Sequence, residues 1–303
     1  MPTTEIGRLL TAMITPFKSD GAVDYEGAEK LAAMLVADGS DGVVVSGTTG
    51  ESPALSDDEK IELLKVIKKA LPGKAVVAGT GSNDTQHSVK LSERAMKAGA
   101  DALLAVVPYY NKPPQEGMYK HFKAISDVGP TIMYNIQGRT AVNMTAATTL
   151  RCAQLPGIIG VKEASGDLDQ IGLVCAGKPA HFNVWSGDDS WTLPLLAVGG
   201  YGVICVVSHI AGRSMKKMIE AFAKADNQTA AEIHQGLLPV IKTLMTTAAN
   251  PVPIKSALNA MGFPAGPFRL PLVPLTDDQL KAVMQTIGDA GSLITFKAGV
   301  KVA

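Results

Sequence analysis

A lysine set inside an apolar run is the first residue of this sequence with the means to do covalent chemistry. Lys162 stands in Ile158-Ile159-Gly160-Val161-Lys162-Glu163-Ala164-Ser165, a β-branched run that predicts a buried strand. Strand alternation puts Gly160, Lys162 and Ala164 on one face, which leaves an open slot around the amine between two residues of little or no side chain. Burial disfavours an ammonium and lowers its pKa, making the amine a nucleophile toward carbonyl carbon. Taken alone, a strand lysine more often reaches into solvent. Other uncommon residues cluster where predicted strands end. Gly47-Thr48-Thr49-Gly50-Glu51-Ser52 offers hydroxyls and backbone N–H groups suited to a carboxylate, although such a loop alone is more often an ordinary turn. Pro108-Tyr109-Tyr110-Asn111 and Tyr134-Asn135-Ile136-Gln137-Gly138-Arg139-Thr140 place three of the six tyrosines at strand ends. A phenol can pass a proton without standing charged at neutral pH, and an arginine beyond a strand end can clamp a carboxylate. Singly, each tyrosine is equally an aromatic plug, and Arg139 a surface ion pair.

Other chemistries lack their patterns. The histidines (His87, His121, His181, His209, His234) form no H-x-H or H-x-x-x-H pair, and Asp188-Asp189 reads as a cap for the helix that follows. A dinucleotide fingerprint, a P-loop and a nucleophile elbow are all missing. Covalent chemistry at an amine remains, with no metal and no cofactor expected.

Positioning these residues requires a repeated scaffold. Strand-like segments fall at Leu9–Thr15, Gly42–Ser46, Ala75–Ala78, Ala102–Val107, Thr131–Asn135, Ile158–Glu163, Val184–Ser186 and Gly202–Val207, mostly apolar on both faces as parallel strands covered by helices are. Amphipathic stretches lie between them: Tyr25–Asp38, Asp57–Ala70, Asp84–Ala98, Gln115–Asp127, Thr145–Ala153, Leu168–Ala176, Ser190–Val198 and Ala211–Ala225. Ser56-Asp57-Asp58-Glu59 resembles a capping box, and Gly39, Gly73, Gly99 and Gly177 fall just past helix ends. Eight β–α pairs predict an α/β fold, a (β/α)8 TIM barrel over residues 1–225, with an open doubly wound sheet as the alternative that strand counting leaves. Helical pattern continues through Thr229–Ala248, Pro253–Met261 and Asp277–Ala290, predicting a C-terminal helical extension over 226–303.

Bulk properties agree. The 303 residues are 46% hydrophobic and 18% charged, with 28 basic and 28 acidic residues, so neither a nucleic-acid partner nor a membrane is expected. Three widely spaced cysteines (Cys152, Cys175, Cys205) read as reduced thiols of a cytoplasmic protein.

Together, Gly47-Thr48-Thr49-Gly50-Glu51, Pro108-Tyr109-Tyr110-Asn111, Tyr134-Asn135 with Arg139-Thr140, and Gly160-Val161-Lys162-Glu163 resemble the dihydrodipicolinate synthase/N-acetylneuraminate lyase family. Thr48-Thr49 and Arg139 look like its synthase branch. The resemblance implies a Schiff-base lyase that condenses pyruvate with aspartate 4-semialdehyde, probed by Lys162 as the imine-forming residue and Tyr134 as general acid/base. It further implies Thr48 and Tyr110 as proton-relay partners, Tyr110 reaching into a neighbouring subunit of a homotetramer. Thr49 and the Ile204 backbone match the positions that hold the pyruvate carboxylate, and Arg139 the one that meets the second substrate. Gln137 stands where the family often has proline. Pro53, Asp57 and Lys60 depart from the pattern of lysine-inhibited members, which implies weak or absent inhibition by lysine. The alternatives are a sibling acting on another aldehyde or a sugar acid, a metal-dependent aldolase, and a non-catalytic binding barrel.

Overall fold

Eight short strands, apolar on both faces, bury both of them by closing on themselves. In the computed structural model, which describes residues 6–296, they form a closed all-parallel barrel in sequence order, β8 pairing with β1. Closure excludes the open doubly wound sheet. The first half runs β1 (Leu9–Ala12), α1 (Tyr25–Ala37), β2 (Gly42–Val45), α2 (Asp57–Ala70), β3 (Ala75–Gly79), α3 (Thr85–Lys97), β4 (Ala102–Val106) and α4 (Gln115–Ser126). The second runs β5 (Thr131–Asn135), α5 (Gln137–Thr140), α6 (Ala146–Cys152), β6 (Ile158–Glu163), α7 (Leu168–Gly177), β7 (Asn183–Ser186), α8 (Thr192–Ala197), β8 (Gly202–Cys205) and α9 (Ser208–Ala223). Three further helices follow: α10 (Asn227–Thr246), α11 (Val252–Ala260) and α12 (Asp277–Asp289). The outer ends of the two units expected from sequence, residues 1–5 and 297–303, lie outside the described residues. Among the described residues, no helix is long and apolar enough to cross a membrane.

Two apolar layers follow from strand alternation. Leu10, Val44, Val77, Leu104, Ile132, Trp185 and Ile204 point into the barrel, while Leu9, Val43, Val76, Leu103, Met133, Val161 and Val184 pack outward against the helices. Local signals hold as well. Ser56 and Glu59 make the capping box of α2, worth about 1 kcal/mol. Gly39, Gly73 and Gly99 take positive φ after helices, whereas Gly177 is the last residue of α7 rather than beyond it. Several strands are shorter than expected: β1 stops at Ala12, and β8 stops at Cys205, after which the Val206 and Val207 N–H groups go to the Asp189 side chain rather than to a neighbouring strand.

One irregularity governs the chemistry. Thr131 pairs with Ile158, but Ile132 pairs with Gly160, so β6 carries one extra residue against β5. Ile158 packs with the outer layer, Ile159 against the inner one, and Val161 outward again. Simple alternation from Ile158 would turn Lys162 outward; the bulge restores it to the inside, in register with Tyr134 of β5 and Trp185 of β7.

Candidate active site

At the carboxyl end of the barrel the strands bring Lys162, Tyr134, Thr48 and Arg139 to one place. Lys162 is 5% exposed, and its Nζ lies 4.4 Å from the centroid of the Tyr134 ring, itself 5% exposed. Burial brings the Lys162 amine down from 10.5 to about 8, with the Asp189 carboxylate pulling the other way. At pH 7 roughly one molecule in ten then holds a neutral amine, against about one in three thousand for an ordinary lysine. Burial pushes the Tyr134 phenol well above its usual value, while the Arg139 charge and a hydrogen bond with Thr48 oppose the rise. The phenol therefore stays protonated, a proton donor joined to Thr48.

The slot around the amine has a different origin from the one alternation suggests. A Cβ on Gly160 would come within 2.2 Å of the Asn183 carbonyl oxygen and 2.5 Å of a Trp185 ring carbon, so this glycine makes room for the indole. Space beside the lysine comes instead from Gly187 after β7, whose added Cβ would stand 2.8 Å from Ala164 Cβ and 3.1 Å from Lys162 Cγ. Trp185 donates from Nε1 to the Gly7 carbonyl (3.0 Å), fixing the indole against the chain that leads into β1.

A cavity of about 420 Å³ opens beside Tyr134, and Thr48, Arg139, Pro53, Lys60 and His87 also line its wall. Thr49 is buried and accepts a hydrogen bond from Asn250 Nδ2 (2.9 Å), while the Asn250 carbonyl accepts from Arg139 Nη2 (3.3 Å). Arg139 sits on the short helix α5, absent from the sequence reading. Gln137 begins that helix, a position where proline is also tolerated, and its Nε2 donates to the Ser165 carbonyl (3.3 Å). Ile204 lies fully buried in β8 with its side chain in the inner layer. Tyr110 stands apart: it is 88% exposed with φ +70°, and it meets neither Tyr134 nor the cavity within one chain.

Asp188 caps the turn after β7 as expected, accepting from Ser190 N (2.9 Å), but Asp189 does something else. Its buried carboxylate accepts from Val206 N (3.1 and 3.0 Å) and Val207 N (2.6 Å), organising the chain after β8. Burial raises it to about 6 against those hydrogen bonds. No local pattern marked this role, because its partners lie 17 and 18 residues away.

A closed parallel barrel with a buried, partly neutral amine beside a phenol at its carboxyl end is the framework of a TIM-barrel enzyme. Comparison with known proteins specifies it. Residues 5–290 match the Dihydrodipicolinate synthetase family, and the chain belongs to that family. A 4-hydroxy-tetrahydrodipicolinate synthase of Moorella thermoacetica is 54% identical over 290 residues, 95% of this chain and 99% of the relative. Among solved structures, a dihydrodipicolinate synthase from Cyanidioschyzon merolae with lysine bound superposes with a TM-score of 0.92 at 44% identity, covering 94% of this chain and 98% of that one. The chloride-inhibited dihydrodipicolinate synthase from Acinetobacter baumannii, complexed with pyruvate, gives 0.91 at 36% identity over 95% and 99% of the two chains.

Proposed function

We propose that this protein is a 4-hydroxy-tetrahydrodipicolinate synthase, joining pyruvate to L-aspartate 4-semialdehyde through an imine on Lys162. The observation that carries the reading is the buried Lys162 amine 4.4 Å from the Tyr134 ring, on adjacent strands of a barrel whose relatives carry that activity. Neutral Lys162 adds to the pyruvate ketone, and loss of water gives the imine. Once protonated, the imine draws electrons from the adjacent methyl group, which gives up a proton to form the enamine. Tyr134 moves these protons, hydrogen-bonded to Thr48. The enamine carbon attacks the aldehyde, and the amine of the second substrate then displaces Lys162 as the product ring closes. Thr49 and the Ile204 backbone hold the pyruvate carboxylate, and Arg139 meets that of the semialdehyde.

Exposed Tyr110, held at positive φ, suits the family's arrangement, in which it completes the relay of a second copy in a homotetramer. The unit 1–225 is assigned the chemistry and 226–303 the extension, whose described residues carry α10, α11 and α12. Three free thiols fit a cytoplasmic enzyme. The decisive experiment is borohydride reduction with pyruvate, mass mapping of the modified peptide, and condensation with aspartate 4-semialdehyde coupled to the following reductase. A reduced adduct at any residue other than Lys162, or no condensation, refutes the proposal.

The amine's pKa gives a pH prediction. Only the neutral form attacks, so the second-order rate of imine formation should rise about tenfold per unit below about pH 8 and level off above it. A profile flat from pH 6 to 8 contradicts the assigned nucleophile.

The part of the cavity wall formed by Lys60 and His87 bears on regulation. Asp57 accepts from His87 Nε2 (2.8 Å) and lies 3.6 Å from Lys60 Nζ. Burial raises the Asp57 carboxyl, but the His87 hydrogen bond and the Lys60 charge together hold it below its usual range. Its negative charge is thus already matched, and Lys60 adds a cation to the cavity wall. Free lysine is expected to leave the initial rate unchanged at micromolar concentration. A micromolar inhibition constant would reject this.

A further inference from the structure

The loop bearing Thr48 and Thr49 is held from behind by a buried ion pair, half of which comes from the C-terminal helices. Lys255 on α11 is fully buried and donates from Nζ to Glu51 Oε1 (2.7 Å) and to the Thr15 carbonyl (2.9 Å). The Phe17 ring centroid lies 4.1 Å from the same nitrogen. Glu51 Oε2 accepts from the backbone N–H of Arg269 (3.1 Å), whose guanidinium in turn grips Glu59 at 2.9 and 2.6 Å. Both carboxylate oxygens of Glu51 are therefore tied to residues beyond the barrel.

The tie continues into the loop. Glu51 takes φ +56°, a left-handed conformation costly for a residue with a Cβ, and its N–H donates to the Thr48 carbonyl (3.1 Å). Thr15, whose carbonyl accepts from Lys255, donates its hydroxyl to the Gly50 carbonyl (2.7 Å). One ammonium thus governs the loop through Glu51 on one side and Thr15 on the other.

Stability is a poor reason for such a pair. Taking two charges out of water costs about as much as their attraction returns, and apolar replacements of similar volume are often neutral or stabilising. What opposed charges with satisfied hydrogen bonds supply, and an apolar contact does not, is a fixed direction. We propose that Lys255 and Glu51 are positioning residues, setting the Thr48–Thr49 segment against Lys162 so that the pyruvate carboxylate is received with its ketone at the amine. This rests on the pyruvate reading above and extends the working site to α11, in the segment that sequence assigned to a packed extension.

The test compares the full chain with two variants, Lys255→Met and Glu51→Gln/Lys255→Met. The single change strands a buried carboxylate and can unfold the protein; the paired change keeps side-chain volume and leaves no buried charge. The paired variant should melt cooperatively near the wild-type temperature while kcat/KM for pyruvate falls roughly 10- to 100-fold, as expected of a displaced binding loop. Its kcat/KM for aspartate 4-semialdehyde, read after the enamine has formed, should change less than about threefold. A folded paired variant with wild-type kcat/KM for pyruvate overturns the proposal, as does an equal loss for both substrates. If wild-type protein itself traps no pyruvate under borohydride, the functional reading fails first, and this proposal with it.

Discussion

Lys162→Ala should form no borohydride-reducible adduct with pyruvate and should lose turnover by on the order of 10⁴-fold or more, the scale on which enzymes lose activity without their nucleophile. The reason is local. The amine is buried, brought to about 8 by that burial, and no second amine is in register with Tyr134 on an adjacent strand. Truncation removes a desolvated cation that makes no ion pair among the described residues, so the barrel should fold, and circular dichroism should match wild type. Mass mapping after reduction provides the check. Near-normal condensation by the variant, or an adduct of equal yield on another lysine, would remove Lys162 from the mechanism.

Tyr134→Phe should slow turnover by roughly 10²-fold, the usual contribution of a positioned acid/base. The ring is in the inner layer and keeps its packing as phenylalanine, so the change removes only the hydroxyl and its bond with Thr48. Burial keeps that phenol protonated and makes it a donor in the steps where water leaves and the imine is protonated. Single-turnover measurements should show slow imine formation and slow enamine formation, with pyruvate still bound. Turnover within about twofold of wild type would assign the proton transfers elsewhere.

The barrel was legible because its signals are local. Each strand is a short apolar run, each helix has its own period, and the Ser56 cap lies directly before the helix it begins. That Lys162, Tyr134, Thr48 and Arg139 would lie near one another was legible because each falls in or just after a predicted strand end, where a barrel gathers its loops. What escaped the sequence is non-local. Asp189 serves the chain after β8, Lys255 serves the loop after β2, and Gly187, not Gly160, opens space at the lysine. The expected eighth helix begins at Ala211, but α9 starts at Ser208 and is broken at Ala211, where φ is −137°. Its first turn carries His209, whose Nε2 accepts from Ile14 N (3.1 Å), a tertiary bond that no periodicity announces.

Tyr110 marks another boundary. Its position at a strand end was readable, but in the single chain it is 88% exposed rather than packed at the site.

The extra residue in β6 has a consequence for how this chain can vary. Because side chains on a strand come in two kinds, inward and outward, counting matters more than identity between Ile158 and Lys162. Removing Ile159 would only erase the bulge and leave the amine inside, whereas removing Val161 would bring Lys162 into register with outward-facing Met133 and swap the amine to the helix-facing layer. Substitutions along this stretch can be graded by size and polarity, but a gain or loss of one residue between Gly160 and Lys162 acts as a binary switch on the chemistry.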